Sequence, residues 1–271
     1  MAPVKFDDLS KVAAGVLNDD YQVSGYVFKT KQKTSWAGAV LSSQVDLFAS
    51  DKCATPAKLA WKLPSPFGCK FFDIDKLEMD KGGSVKLEAS SEKAHSDVKI
   101  ECKADLADFS KLTVCSTYTG MKDAQVKFEC KATNPLDFVC EATYAMGKAT
   151  CGVKFSAKAG LPDFGIRFLS GPMFCSLLCK DKLGTVSAAG LYKANSDLNC
   201  AATYDHSLAK GNGKLTMGVV YQGLYKVKIS QDQTVCCSAK HSIAKGFSLL
   251  FGAKYGIADG NVSYGCQVSI E

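Results

Sequence analysis

From residue 22 to the end, one pattern repeats and never lapses for long. Short segments in which apolar and polar residues alternate are separated by Gly, Asp, Asn, Lys or Pro. In 98–103, Val98, Ile100 and Cys102 take one face, and Lys99, Glu101 and Lys103 take the other. Segment 126–131 repeats the scheme with Val126, Phe128 and Cys130 against Lys127, Glu129 and Lys131. The last segment, 262–270, sets Val262, Tyr264, Cys266, Val268 and Ile270 against Ser263, Gly265, Gln267 and Ser269. A period of two is the mark of a β-strand with unlike faces. Nineteen such segments can be placed, beginning with 22–31, 35–43, 57–63 and 69–77 and ending with 246–255 and 260–270. The stretch 44–56 is ambiguous, reading as an insertion or as one strand more. The 250 residues after residue 21 (271 − 21) allow about 13 per unit, which suits a tilted membrane strand of ~9–11 residues and a short turn.

So many strands with too few helices to cover them require closure, because an open sheet leaves its edges unpaired. Alternation by itself does not say which face meets water: a soluble sandwich packs its apolar faces together, whereas a membrane barrel turns them outward to lipid. Tyr144, Tyr204, Tyr221, Tyr255 and Tyr264 fall at or near strand ends, as in the aromatic girdles of membrane barrels. Nine cysteines (102, 130, 140, 151, 175, 179, 200, 237 and 266) fall on the apolar face, where they act as small hydrophobes. The other face is rich in lysine, including Lys29, Lys31, Lys62, Lys99, Lys127, Lys154 and Lys228, with Glu88, Glu101, Glu129, Asp137 and Glu141 among the acidic partners. Lining a wide aqueous pore, those lysines stay hydrated and favour anions. These observations predict an all-β transmembrane barrel of about 19 strands (22–271) preceded by an N-terminal helical segment (1–21).

That segment has Leu9, Val12, Ala13, Val16 and Leu17 at helical spacing, with Asp7 or Asp8 as the expected N-cap and Asn18 as a stop. Asp7 and Asp8 so early disfavour a secretory or matrix-targeting leader. An odd count of 13 Cys excludes a fully paired internal set, and with no CxxC and scattered His95, His206 and His241 no metal site is expected. The catalytic signatures GxSxG, HExxH, GxGxxG and the P-loop are absent, so neither an enzyme nor a cofactor is expected. The net charge of +6 is spread over many strands, without a compact patch for nucleic acid.

The two ends of the chain resemble the mitochondrial porins, or voltage-dependent anion channels. Asp8-Leu9-Ser10-Lys11, the apolar helix, Tyr21 and then Phe28 to Lys31 (FKTK) are similar to that family's helix, tyrosine and KTK first strand. Ser263-Tyr264-Gly265-x-x-Val268-x-Ile270 resembles the membrane-insertion signal of mitochondrial barrel proteins, carried by Ser263, Gly265, Val268 and Ile270. The resemblance implies a nineteen-strand barrel with parallel first and last strands and the helix in the pore. It implies a voltage-dependent, weakly anion-selective channel for ATP, ADP and small anions in the mitochondrial outer membrane. Asp8, Lys11, Lys29 and Lys31 would line the pore, and Asp75 lies where some members carry a lipid-facing Glu. Partners implied are outer-membrane lipids, the permeating anions, further copies of the barrel and docked metabolic enzymes. The GLK triplet of many members is missing, its nearest equivalent being Ser84-Val85-Lys86, so no nucleotide site is carried over. Two other readings remain at this point: the related protein-import barrel, disfavoured by only about 21 residues before the first strand, and a soluble β-sheet scaffold.

Overall fold

Each alternating segment forms a strand that hydrogen-bonds to its sequence neighbours, and the last pairs with the first. The computed structural model describes residues 3–34, 38–47, 57–66 and 71–271. Within these, a 3-10 turn (Phe6–Asp8) and one helix, α1 (Lys11–Asn18), precede nineteen strands. They are β1 (Gly25–Lys33), β2 (Val40–Leu47), β3 (Ala57–Leu63), β4 (Asp73–Asp80), β5 (Val85–His95), β6 (Val98–Asp105), β7 (Asp108–Tyr118), β8 (Ala124–Lys131), β9 (Asn134–Met146) and β10 (Ala149–Ser156). The wall continues with β11 (Asp163–Ser170), β12 (Met173–Lys180), β13 (Thr185–Lys193), β14 (Leu198–Ser207), β15 (Asn212–Tyr221), β16 (Tyr225–Ser230), β17 (Thr234–Ala244), β18 (Phe247–Gly256) and β19 (Val262–Ile270). Successive strands are antiparallel, so an odd number leaves β19 running the same way as β1. The closing ladder is therefore parallel, from Gly25 opposite Gly265 to Thr30 opposite Ile270.

The nineteen expected strands are the nineteen observed, with shifted ends. β2, expected over 35–43, spans Val40–Leu47, so the start of the ambiguous 44–56 stretch belongs to it. Residues 48–56 lie outside the described residues, as do 69–70 of the expected 69–77 strand, which appears as β4 from Asp73.

The N-terminal segment fixes which face is the lumen. Phe6 and Leu9 lie against Gly152 and Gly165, and Leu17 against Gly218. Following the registers from these glycines puts the lysines of β6, β8, β10 and β16 on the luminal face. The opposite phase carries the nine cysteines expected there, for instance Cys140 opposite Phe128 and Phe155, and Cys175 opposite Phe168. Of the ten tyrosines, the nine on strands are all exposed on this outer phase. Since odd strands run one way and even strands the other, Tyr118, Tyr144, Tyr192, Tyr221 and Tyr225 fall toward one rim, and Tyr26, Tyr204, Tyr255 and Tyr264 toward the other. Between them lies an apolar outer band, the pattern of a wall in lipid. Among the described residues no helix is long and apolar enough to cross a membrane; the strands do the crossing.

The expected helix is present but differs in detail. Asp7 and Asp8 belong to the 3-10 turn, and Ser10 takes the N-cap position without a side-chain cap bond. The buried stripe runs through Phe6, Leu9, Ala13 and Leu17, at spacings of three, four and four, which leaves Val12 off the stripe and 41% exposed. The stripe packs on an apolar patch of the inner wall: Phe6 and Leu9 meet Leu178, while Ala13 and Leu17 meet Phe174, Leu191 and Ala201. This patch is the apolar stretch of the inner wall on which the N-terminal segment rests. On β12 both faces are apolar for most of their length, since Phe174 and Leu178 point inward while Met173, Cys175 and Leu177 point outward.

Candidate functional site

Two walls of the lumen carry most of its charge, and they differ in how far that charge is neutralised. On β6 to β11 one cross-strand row reads Lys99, Thr117, Lys127, Glu141, Lys154 and Asp163. Three expected pore-lining lysines thus lie in a single row, and each has acidic partners. Glu141, almost fully buried, is 3.1 Å from Lys154 Nζ and 3.7 Å from Lys127 Nζ. Lys127 also pairs with Glu129 at 3.0 Å, and Lys99 pairs with Glu92 at 2.7 Å and Glu101 at 3.3 Å. Lys154 reaches across to Asp7 of the N-terminal segment at 3.0 Å. On this wall the lysines hold carboxylates in place.

The far end of the N-terminal segment is tied to the opposite side. Lys228 Nζ donates to the Leu17 carbonyl at 2.8 Å, satisfying an orphan carbonyl at the end of α1, and sits 4.4 Å from the Tyr21 ring centroid. Lys226 donates to the Asp19 carbonyl at 3.1 Å and pairs with Asp20 at 3.3 Å, and Lys240 lies 3.8 Å from Asp20. Tyr21, in the link between α1 and β1, has its hydroxyl buried without a hydrogen-bond partner. Burial, and then the neighbouring Cys236 and Cys237, push its phenol up to about 12.

Glycines make room for this link. Gly252, Gly265 and Gly25 lie opposite one another on β18, β19 and β1. A Cβ at Gly252 would collide with the Gln22 carbonyl oxygen, and one at Gly265 would fall 2.7 Å from the Gly25 carbonyl oxygen and 2.8 Å from that of Gln22. The absence of side chains there lets the backbone pass close to the wall.

The third region is a cavity of about 460 Å³ bounded by β1 to β4, β17 to β19 and Asp20. Five lysines line it (29, 31, 58, 76 and 240) against three carboxylates (Asp20, Glu78 and Glu271), an excess of 5 − 3 = +2. Lys58 and Lys76 pair with Glu78, and Lys31 is 4.0 Å from Glu271.

The remaining expected site residues are placed as follows. Asp8 and Lys11 pair with each other at 3.1 Å on the exposed side of the segment. Lys62 lies on the luminal phase of β3 and is 3.7 Å from Asp75. This corrects the lipid-facing reading of Asp75: the ladder slips between Ile74 and Lys76, and the extra residue brings its carboxylate to a luminal lysine. Ser263 and Gly265 take the luminal phase of β19, and Val268 and Ile270 the outer phase. Sequence reasoning passed over Asp7, Asp20, Lys226 and Lys240 as anchors of the segment. It also missed the glycine notch, whose signal was glycine recurring at polar-phase positions 152, 165, 218, 252 and 265.

A family model described as eukaryotic porin matches residues 2–260. The chain belongs to the eukaryotic porin family. A eukaryotic porin of this build is a membrane channel, and its barrel is of the outer-membrane kind. None of the curated proteins compared with this porin matches it. Among solved structures it is similar to a five-site mutant of Rhodopseudomonas blastica porin, at 9% identity and TM-score 0.47, covering 90% of this chain and 95% of that one. A three-site mutant of the same bacterial porin is similar at 10% identity and TM-score 0.47, covering 90% of this chain and 96% of the other. The sequence-family match, not these distant overlaps, assigns the porin.

Proposed function

We propose that this porin is a voltage-dependent, weakly anion-selective channel that passes ATP, ADP and small anions across the mitochondrial outer membrane. The observation that carries the selectivity is the uneven neutralisation of the lumen. On β6 to β11 lysines and carboxylates compensate each other within about 4 Å, whereas the β1–β4 and β17–β19 wall keeps a positive excess around an open cavity. A residual positive field in a wide, wet pore raises the local anion concentration without a narrow filter, so the preference is modest. Lys29 contributes to it, and Lys58 and Lys76, which share the single carboxylate Glu78, leave one further charge uncompensated. Lys99, Lys127 and Lys154 contribute less, because each has at least two carboxylates near it.

A response to voltage is supported by the charged N-terminal segment. It carries Lys5, Asp7, Asp8, Lys11, Asp19 and Asp20 and is held in the lumen by a few ion pairs. Moving one charge through the full membrane field is worth ~2.3 kcal/mol per 100 mV, comparable to such contacts. Outer-membrane lipids, other copies of the barrel and metabolic enzymes docked at its rims belong to the same reading as partners.

Reversal-potential measurement in planar bilayers under a salt gradient tests it. Replacing Lys29, Lys31 and Lys58 by Glu changes the cavity from five lysines against three carboxylates to two against six, and the preference should turn to cations. Replacing Lys127 and Glu129 together by Gln removes a compensated pair and should leave the reversal potential nearly where it was. An unchanged reversal potential in the triple variant would refute the assignment.

A further inference from the structure

Among the described cysteines only Cys115 and Cys236 take the luminal phase, and the charges around them differ: mixed at Cys115, where Lys127 is also near, and positive across the strands from Cys236. Cys115 on β7 stands opposite Glu101 of β6 and Glu129 of β8. Cys236 on β17 stands opposite Lys228 of β16 and Lys254 of β18. Directly paired residues of neighbouring strands bring their Cβ atoms to ~5 Å, so each thiol feels both flanking charges. Cys236 is 7% exposed and lies beside the Tyr21 phenol. Two hydroxyls near it are buried without a hydrogen-bond partner: that of Tyr21, and that of Ser238, the next residue on the same luminal face. The cover is the N-terminal segment itself, held there by the Lys228 bond to Leu17 and the contact of Lys228 with Tyr21. A thiol, two ammonium groups and two unused hydroxyl donors therefore sit together under a removable lid.

We propose that Cys236 is a thiol-exchange site for a small anionic disulfide of the glutathione type, masked while the N-terminal segment is docked. In the exchange, the Cys236 thiolate attacks one sulfur of the reagent. The reagent's S–S bond breaks, a mixed disulfide forms on Cys236, and the other half leaves as a thiolate that takes up the proton Cys236 gave up. The incoming disulfide is the only oxidant. The two lysines draw in its carboxylates, and the Ser238 and Tyr21 hydroxyls offer them donors once the lid lifts. The adduct fills the space of Tyr21 and keeps the segment from returning. Cys115, where Glu101 and Glu129 offset Lys127, draws in the same reagent less, and the outer cysteines face lipid that a charged reagent does not enter. The site rests on the lumen reading of the polar face, but not on anion selectivity.

The test uses the full chain in lipid vesicles, glutathione disulfide as reagent, and peptide mass mapping. Cys236 should carry the adduct, faster in Tyr21→Ala than in the unaltered chain, and Cys236→Ser should abolish it while Cys237→Ser keeps it. A sulfonate methanethiosulfonate should modify Cys236 on the order of tenfold faster than its trimethylammonium counterpart, with a weaker preference at Cys115. Single-channel conductance should change with the adduct and return on reduction. Absence of the adduct at Cys236 in Tyr21→Ala, or faster reaction with the cationic reagent, would overturn the proposal. Such a failure leaves the reversal-potential result standing, so the two readings can be separated.

Discussion

Gly252→Ala is a small change aimed at one contact. The glycine has an ordinary strand conformation, so alanine costs the strand itself nothing. Its new methyl would, however, meet the carbonyl oxygen of Gln22, a backbone atom that cannot rotate away as a side chain can. To regain ordinary van der Waals separation the link must withdraw by about 1 Å. The link spans only residues 19–24 between the end of α1 and β1, so withdrawal pulls Leu17 from its place at Gly218 and strains the Lys228 bond to the Leu17 carbonyl. Burial of one leucine stabilises by about 2 kcal/mol and a hydrogen bond from a charged donor by about 1.5 kcal/mol. Losing the first alone lowers the docked-to-undocked ratio by roughly thirtyfold, and losing both by a few hundredfold. Trypsin cleavage at Lys11, which is exposed but helical, tracks the undocked population when opening and closing are fast. The cleavage rate should rise by a factor in that range, with a matching change in single-channel conductance. Gly190→Ala is the control: its Cβ would meet nothing nearer than 3.9 Å, and it should behave as the unaltered chain does. Equal cleavage rates for Gly252→Ala and Gly190→Ala would show that the glycine notch does not seat the segment.

Two further outcomes are expected. Glu141→Gln leaves Lys127 and Lys154 facing one another with a buried neutral partner, which should destabilise the barrel by roughly 1–3 kcal/mol in denaturant titration and strengthen the anion preference; unchanged stability would mean the row is not acting as a charge-balanced unit. The Tyr21 phenol is pushed up to about 12 from its ordinary 10.0, so its contribution to docking is complete below pH ~10 and is lost as pH rises through about 12. Protease exposure of the segment should climb over that window, and Tyr21→Phe should flatten the climb; identical profiles would remove Tyr21 from the account.

Much of the fold was legible because alternation is local. Each strand announces its two faces within eight or ten residues, which set the strand count and put most cysteines and lysines on opposite faces; the docked N-terminal segment then shows which face is luminal. The charge balance of the lumen was not legible, because it depends on register: that Lys154 meets Glu141 and Asp7, but Lys29 meets no near carboxylate of its own strand pair, follows only when strands are aligned. Asp75 shows the same limit at a single residue, where a bulge reverses the face that alternation assigns. The docking patch was partly written in the chain. Residues 172–179 contain no charge and lose the polar phase, and that lapse coincides with the wall against which Phe6, Leu9 and Leu17 pack.

The notch of Gly25, Gly265 and Gly252 also bears on the order in which the molecule is assembled. It straddles the joint between the first and last strands, whose paired residues Gly25 and Gly265 are 265 − 25 = 240 positions apart. Contacts so distant in sequence form late, since the loop between them must be organised first. The place where Gln22 crosses the wall therefore does not exist on an unclosed sheet. The N-terminal residues, first to be synthesised, are the last to find their place, and a protected Lys11 reports a barrel whose seam has already joined.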